Sequence, residues 1–510
     1  MSKRQPKWLD NAVFYEIYPQ SFNDTNADGI GDLQGIIEKL DYIKELGCNA
    51  IWINPCFDSP FNDAGYDVRD YKKVAPRYGT NEDLKRVFDE AHKRDMHVLL
   101  DLVPGHTSVE HPWFKESMKP EKNEYTDRFV WTDHVFMDTK GMNTLRAISD
   151  RDGCAVLNFF SSQPALNYGF YKQEEPWQQG MDDPGPEATR LAIQDVMRFW
   201  LKMGCDGFRV DMAAWCVKND DENRTGNIYF WNKVGKFLDE EFPDAAMVSE
   251  WGNPDQSLQG GFHMDFQLMG QGTNYEDLFR CDEPYFSSRG KGNFKAYAER
   301  YNKSVAATEG KGLICIPSGN HDIDRLARRL KGNELKMAFA FLLSMPGAPF
   351  IYYGDEIGMN YVEGLISKEG GYQRTGSRTP MQWDDGLNDG FSTADPKDLY
   401  IKMDDAPDRP NVKAQMADPG SLWNEVRRLI KIRKENVALR SKAKVEFLET
   451  GYPLVLKRSC KEQAITVIIN PTNEEKTVDV HGTIIYACGS AKLENGKCHV
   501  GAGTAVFIEN

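Results

Sequence analysis

Gly207-Phe208-Arg209-Val210-Asp211 is the stretch on which the reading of this chain turns. Phe208 and Val210 give it the apolar character of a short buried strand, and strand alternation sets Arg209 and Asp211 on one face. A guanidinium beside a carboxylate favours the ionised form, so Arg209 is expected to orient Asp211 and depress its pKa. An ionised carboxylate at the C-terminal end of a strand can serve as a nucleophile. Three more segments end the same way: Asp101-Leu102-Val103-Pro104-Gly105-His106, Val248-Ser249-Glu250-Trp251 and Ser318-Gly319-Asn320-His321-Asp322.

Working outward, short apolar runs alternate with amphipathic stretches. The runs predict strands over Val13–Tyr18, Ala50–Asn54, His97–Val103, Gly207–Met212, Ala246–Glu250, Met264–Leu268, Leu313–Pro317 and Pro349–Tyr353. Apolar spacing predicts helices over Leu33–Leu46, Glu82–Arg94, Glu187–Met203, Ile228–Phe242, Leu335–Leu343 and Leu422–Glu435. Eight strands alternating with helices imply a parallel sheet, and at this length closure into a (β/α)8 TIM barrel is the first choice. One connection, after the third strand, runs to roughly 80 residues, far beyond an ordinary loop, and predicts an inserted domain over the barrel's C-terminal face. Past the last helix the period changes to two, over Val445–Leu448, Leu454–Lys457, Ala464–Ile469 and Ile484–Cys488, which predicts a C-terminal antiparallel β-sandwich. The expected division is therefore a barrel from 1–106 and 184–439, an inserted domain from 107–183 and a sandwich from 440–510.

Composition narrows the classes of function. The chain has 510 residues, 27% of them charged and 40% hydrophobic, which is ordinary for a globular protein of more than one domain. A formal net charge of -15 argues against nucleic acid or an anionic membrane as partner and fits a neutral small molecule. No apolar run follows the basic start of the chain, and none is long enough to span a bilayer. The 10 cysteines are scattered and several, such as Cys48, Cys205 and Cys315, lie in apolar runs, so they read as reduced core thiols of a cytoplasmic protein. A monomer is the expected state.

The four strand ends, in this order, resemble the α-amylase superfamily of retaining glycosidases. Asp63-Ala64-Gly65-Tyr66-Asp67 and Arg378-Thr379-Pro380-Met381-Gln382-Trp383-Asp384 are similar to segments of its oligo-1,6-glucosidase, dextran glucosidase and α-glucosidase group, and the likeness runs along essentially the whole chain. The resemblance implies Asp211 as nucleophile, Glu250 as acid/base and Asp322 as the group that holds the sugar's 2- and 3-hydroxyls. Retaining hydrolysis needs its two carboxyl groups about 5–5.5 Å apart. It further implies that His106 and His321 donate to sugar hydroxyls, that Tyr66 stacks on the sugar face, and that Asp63 pairs with Arg378 to close the far end of the pocket. The expected substrate is a short gluco-oligosaccharide attacked from its end. An endo-acting amylase and a transglycosylating isomerase, of the sucrose isomerase or trehalose synthase kind, share the same carboxylates and stay open.

Three departures from that group bear on linkage. Gly105 stands where Asn precedes the histidine, removing a side-chain hydrogen bond; Ala165 stands in Gln163-Pro164-Ala165-Leu166-Asn167 where Asp is usual; and Met212 follows the nucleophile. One motif lies apart from the carboxylates. Asp24-Thr25-Asn26-Ala27-Asp28-Gly29-Ile30-Gly31-Asp32 spaces oxygen-bearing side chains at alternate positions, as hard cations require. By resemblance, Asp24, Asn26, Asp28 and Asp32 with the carbonyl of Ile30 would hold one structural Ca2+. A polar loop turned on its own Asx hydrogen bonds is the alternative.

Overall fold

In the computed structural model, which describes residues 5–146, 148–268, 272–370 and 372–510, each of the eight expected strands forms, trimmed at one or both ends. They are Phe14–Ile17, Ala50–Ile53, His97–Leu102, Gly207–Val210, Ala246–Ser249, Met264–Phe266, Leu313–Cys315 and Phe350–Tyr352. Neighbours pair parallel in chain order, and the first pairs with the eighth. A parallel bridge between Pro317 and Phe350, with Ser318 N donating to Phe350 O at 2.9 Å, joins the seventh strand to the eighth and closes the barrel. Nearly every residue of these strands is buried, as expected of a parallel sheet filled inside and covered by helices outside. Gly207 starts the fourth strand at φ +143°, and a Cβ there would come within 1.9 Å of Ala246 O, so only glycine lets the fourth and fifth strands close up.

The helices follow local signals. Leu33–Leu46 is capped by Asp32, whose side chain accepts from Gly35 N, and ends at Gly47 in the left-handed region. Asn81–His92 opens with a capping box made by Thr80 and Asp83. The helix Lys295–Thr308 escaped the periodicity reading because its buried face is Tyr297, Ala298, Tyr301, Ser304 and Thr308 rather than a row of aliphatics.

Between the third strand and the helix Pro184–Met203 the chain builds a small unit of its own. It has a helix, Pro112–Ser117, a ladder of Thr144–Leu145 on Ala155–Val156, and a core of Val130, Val156, Ala165, Phe170 and Trp177. Beyond the barrel, Lys444–Glu449, Leu454–Ser459, Ala464–Asn470, Thr504–Glu509 and Thr483–Cys488 make a five-stranded antiparallel sheet in that order. A second sheet of Lys476–Asp479, Lys497–Val500 and Ala491–Glu494 packs on it through Val455, Ile468, Val480, Cys498, Val500, Val506 and Ile508. Two buried arginines meet where this part joins the barrel, Arg433 on the barrel's last helix, Leu422–Glu435, and Arg458 on the C-terminal strand Leu454–Ser459. Arg433 donates to Leu343 O, Met345 O and Gly347 O, and Arg458 to Ser344 O and Arg440 O, which satisfies the carbonyls left over where Asn333–Ser344 ends. All ten cysteines are unpaired thiols, and among the described residues no helix is long and apolar enough to cross a membrane.

Candidate active site

Parallel register decides which side chains meet inside the barrel's C-terminal end. Asp101 on the third strand lies opposite Arg209 on the fourth, and Val210 lies opposite Ser249, so Asp211 and Glu250 emerge side by side. Arg209 is 1% exposed and serves all three carboxylates: Nη1 lies 2.8 Å from Asp101 and 3.1 Å from Asp211, and Nη2 lies 2.9 Å from Glu250. Asp211 and Glu250 thus face one another across a gap spanned by a single guanidinium. Met212, held in the left-handed region at φ 43°, turns its N–H onto Glu250 Oε2 at 3.0 Å.

Arg209 does lower the pKa of Asp211, as expected, but this sharing leaves the net shift upward. Burial raises it well above the ordinary value, Glu250's charge adds to the rise, and Arg209 only partly offsets the two. One cation shared among three carboxylates does not offset the burial of Asp211. Asp322 goes the other way. Burial works against its charge, but the guanidiniums of Arg374, Arg378 and Arg209 outweigh it and hold the carboxyl well below the usual range.

The far wall also differs from the expectation. Asp63 pairs with Arg374, not with Arg378, and accepts from Gln163 Nε2 at 2.7 Å. Arg374 reaches Asp322 with its other Nη at 2.6 Å, so it bridges the two aspartates. Arg378 is drawn behind Asp322, where Nη2 is 2.8 Å from Asp322, Nη1 2.7 Å from Glu369 and Nε donates to His321 O at 2.8 Å. With those partners and 1% exposure it buttresses the site and does not line it.

Tyr66 stacks on His321 with ring centroids 5.3 Å apart, and its hydroxyl meets Asp101 at 3.0 Å and His321 Nε2 at 2.8 Å. His321 is fully buried, and burial drives its pKa well down, so the ring is neutral. His106 is neutral for the same reason, its pKa lowered to about 3 by burial and then by Lys218. The hydrogen bond thought lost at Gly105 is made from elsewhere. Asn158 Nδ2 lies 3.1 Å from His106 Nδ1, in space that a Cβ on residue 105 would enter at 2.6 Å.

Part of this set surrounds a cavity of about 260 Å³, and Arg209, His321 and Arg378 lie behind its lining, so His321 is not placed to donate to a sugar as the resemblance implied. Asp63, Tyr66, His106, Asp211, Glu250 and Asp322 line the cavity, together with Phe159, Met212, Trp215, Trp251, Gly252, Phe266, Leu268, Tyr372 and Arg374. Arg374, Phe159, Trp215 and Tyr372 come from long connections without periodicity. The one sequence signal for Arg374 was a second arginine four residues before Arg378.

The Asp24–Asp32 loop contributes nothing to the cavity lining. Its oxygens are of the type calcium takes, and the Ile30 carbonyl belongs to the same turn. Each side chain also accepts backbone N–H groups: Asp24 from Asn26, Ala27 and Gly29, Asn26 from Asp28, Asp28 from Ile30, and Asp32 from Thr25 and Gly35. Among the described residues no three acidic, His or Cys side chains converge as a metal cage.

Residues 16–442 match the family described as Alpha amylase, catalytic domain. The chain is 34% identical over 482 residues to a trehalose synthase/amylase of Mycobacterium tuberculosis (strain CDC 1551 / Oshkosh), covering 85% of this chain and 76% of the relative. It is 32% identical over 531 residues to a glucan 1,6-alpha-glucosidase of Streptococcus pneumoniae serotype 4, covering 94% of each. Among solved structures, a mutant isomaltulose synthase of Erwinia rhapontici NX5 in complex with its natural substrate sucrose superposes with a TM-score of 0.83 at 26% identity, over 99% of this chain and all of that one.

Proposed function

The chain belongs to the α-amylase family, and we propose that within it this protein is an exo-acting α-glucosidase that trims short gluco-oligosaccharides with retention of configuration. The observation that carries this reading is the wall of Asp63, Arg374 and Asp322 across one end of the cavity. A buried carboxylate–guanidinium–carboxylate chain offers hydrogen bonds to the hydroxyls of a terminal glucose. A substrate that continued past that point would meet the wall and leave its charges without partners.

In this reading Asp211 attacks the anomeric carbon while Glu250 protonates the departing oxygen; water, deprotonated by Glu250, then cleaves the glycosyl ester. The step needs one proton on the pair, and it must sit on Glu250. Asp211 is the more enclosed of the two, with 9% side-chain exposure against 29%, and its burial favours the proton on Asp211 before a sugar binds. A sugar whose anomeric carbon gains positive charge beside Asp211 reverses that balance. Asp322, ionised and braced by two arginines, takes the 2- and 3-hydroxyls. The unpaired thiols support a reducing, cytoplasmic setting. Calcium, held by Asp24, Asn26, Asp28, Asp32 and the Ile30 carbonyl, would add rigidity to the loop that caps the first helix.

A transglycosylating isomerase is the second reading, and one observation favours it. Phe159, Trp215 and Tyr372, each about half exposed, stand with Trp251 along the cavity. Such aromatic faces can keep a departed sugar stacked and ready to attack the intermediate in place of water. Incubation with maltose, isomaltose, sucrose, trehalose and maltoheptaose in turn separates the readings. Free glucose from the gluco-oligosaccharides supports the α-glucosidase; an isomer of sucrose or maltose formed with little glucose supports the isomerase instead.

A further inference from the structure

Lys218 and Asn158 lie beside the site, and the mechanism above uses neither. Lys218 Nζ donates to Asn158 Oδ1 at 2.5 Å and to Trp215 O at 2.7 Å. An ammonium has only hydrogens to offer, so the atom of Asn158 that faces it must be the oxygen. The amide nitrogen is then the atom 3.1 Å from His106 Nδ1, and an amide N–H meeting a neutral ring nitrogen requires that nitrogen to accept. The ring's one proton is left on Nε2, which donates it to Tyr66 O at 3.1 Å. Burial keeps the ring neutral, so it holds one tautomer and not a second proton. Gly105 leaves the space open, since any side chain there would strike Asn158 Nδ2.

We propose that Lys218, acting through Asn158, is a positioning residue that holds His106 from its Nδ1 side in the tautomer whose Nε2–H is donated to Tyr66 O, so that the His106 and Tyr66 side chains keep the places in which they line the cavity. The chain of atoms is directional. Each member fixes the donor or acceptor sense of the next, and it spans the barrel, the inserted unit and the segment after the fourth strand. The functional part of the claim rests on the α-glucosidase reading, because His106 matters only if a sugar occupies the cavity.

The test uses the whole protein with ¹⁵N-labelled histidine, whose ring nitrogens report the tautomer at neutral pH, the His106 signal being identified by its loss in H106Q. Wild type should show His106 protonated on Nε2 and bare on Nδ1. N158D keeps the shape but turns an acceptor toward the ring, so Nδ1 should acquire a proton. K218M frees the amide to rotate, and the Nδ1 signal should move as its hydrogen bond from the amide weakens, while Tyr66 O still accepts from Nε2. On p-nitrophenyl α-glucoside, N158A should lose about three- to tenfold in kcat/KM, the value of one hydrogen bond. G105A should lower kcat/KM beside Asn158 and add no loss in the N158A background, where its collision is gone. A wild-type ring protonated on Nδ1, or an N158D ring still bare there, would overturn the proposal, as would K218M with both spectrum and kcat/KM unchanged. If wild type cleaves no α-glucoside, the functional reading fails by itself while the ring spectra still decide the tautomer claim.

Discussion

Asp211 and Glu250 draw on one guanidinium, and that sharing controls how the pair can work. D211N should abolish turnover, because an amide forms no glycosyl ester; steady-state rates near wild type would show the nucleophile misassigned. E250Q should lose most activity on natural substrates yet keep part of the first step for an aryl glucoside whose leaving group needs no proton. The pH dependence follows from the same contacts. The working state holds one proton on the pair, so kcat/KM should fall in acid, where both carboxyls are protonated, and again in base, once the shared proton is gone. Burial and Glu250 raise Asp211, so the alkaline limb should lie above the ordinary carboxyl range. Asp211, Glu250, His321 and Asp322 were legible because strand ends in a barrel converge wherever the residues lie in sequence. The net direction of the Asp211 pKa was not. Alternation shows that Arg209 touches Asp211, but only the register shows that Asp101 and Glu250 compete for it.

At the scale of elements, the loop bearing Arg374 and Arg378 turns a generic barrel mouth into a closed end. The family resemblance marked Arg378 and implied its pairing with Asp63, but Glu369 and Asp322 hold that side chain back, and Arg374 fills the place. No periodic pattern runs through this segment, so nothing in it could rank one arginine above the other. The two should respond differently. R374A should keep the fold and lose about 1.5–3 kcal/mol of transition-state binding, with cleavage inside longer chains appearing. R378A leaves Glu369 buried without its cation and Asp322 with Arg374 alone, and should cost about 3–5 kcal/mol of stability in denaturant titration. If R374A left both rate and product pattern as in wild type, the wall would have no role in choosing chain ends.

For the molecule as a whole, the barrel and the C-terminal sheets were readable because their periods, 3.6 and 2, are set by burial and hardly by detail. What joins them was not readable. Arg458 looks like a surface residue in sequence, and its partner across the join is a carbonyl at the end of a helix 114 residues away. The Asp24–Asp32 loop shows the same limit, since one set of residues serves a bound cation or a self-bonded turn. If Ca2+ binds there, added calcium should raise the melting temperature and chelator lower it, with kcat on an aryl glucoside nearly unchanged. Equal melting curves with and without chelator would favour the self-bonded turn.

The claim that ties the scales together is end-directed cleavage with retention, and one measurement tests both halves of it. Maltoheptaose is digested in the NMR tube and the anomeric signals of new product are followed before mutarotation. The account predicts α-glucose, released one unit at a time while maltohexaose accumulates as the partner product. Initial β-glucose would contradict the double displacement through Asp211, and early maltose and maltotriose would contradict the wall made by Asp63, Arg374 and Asp322.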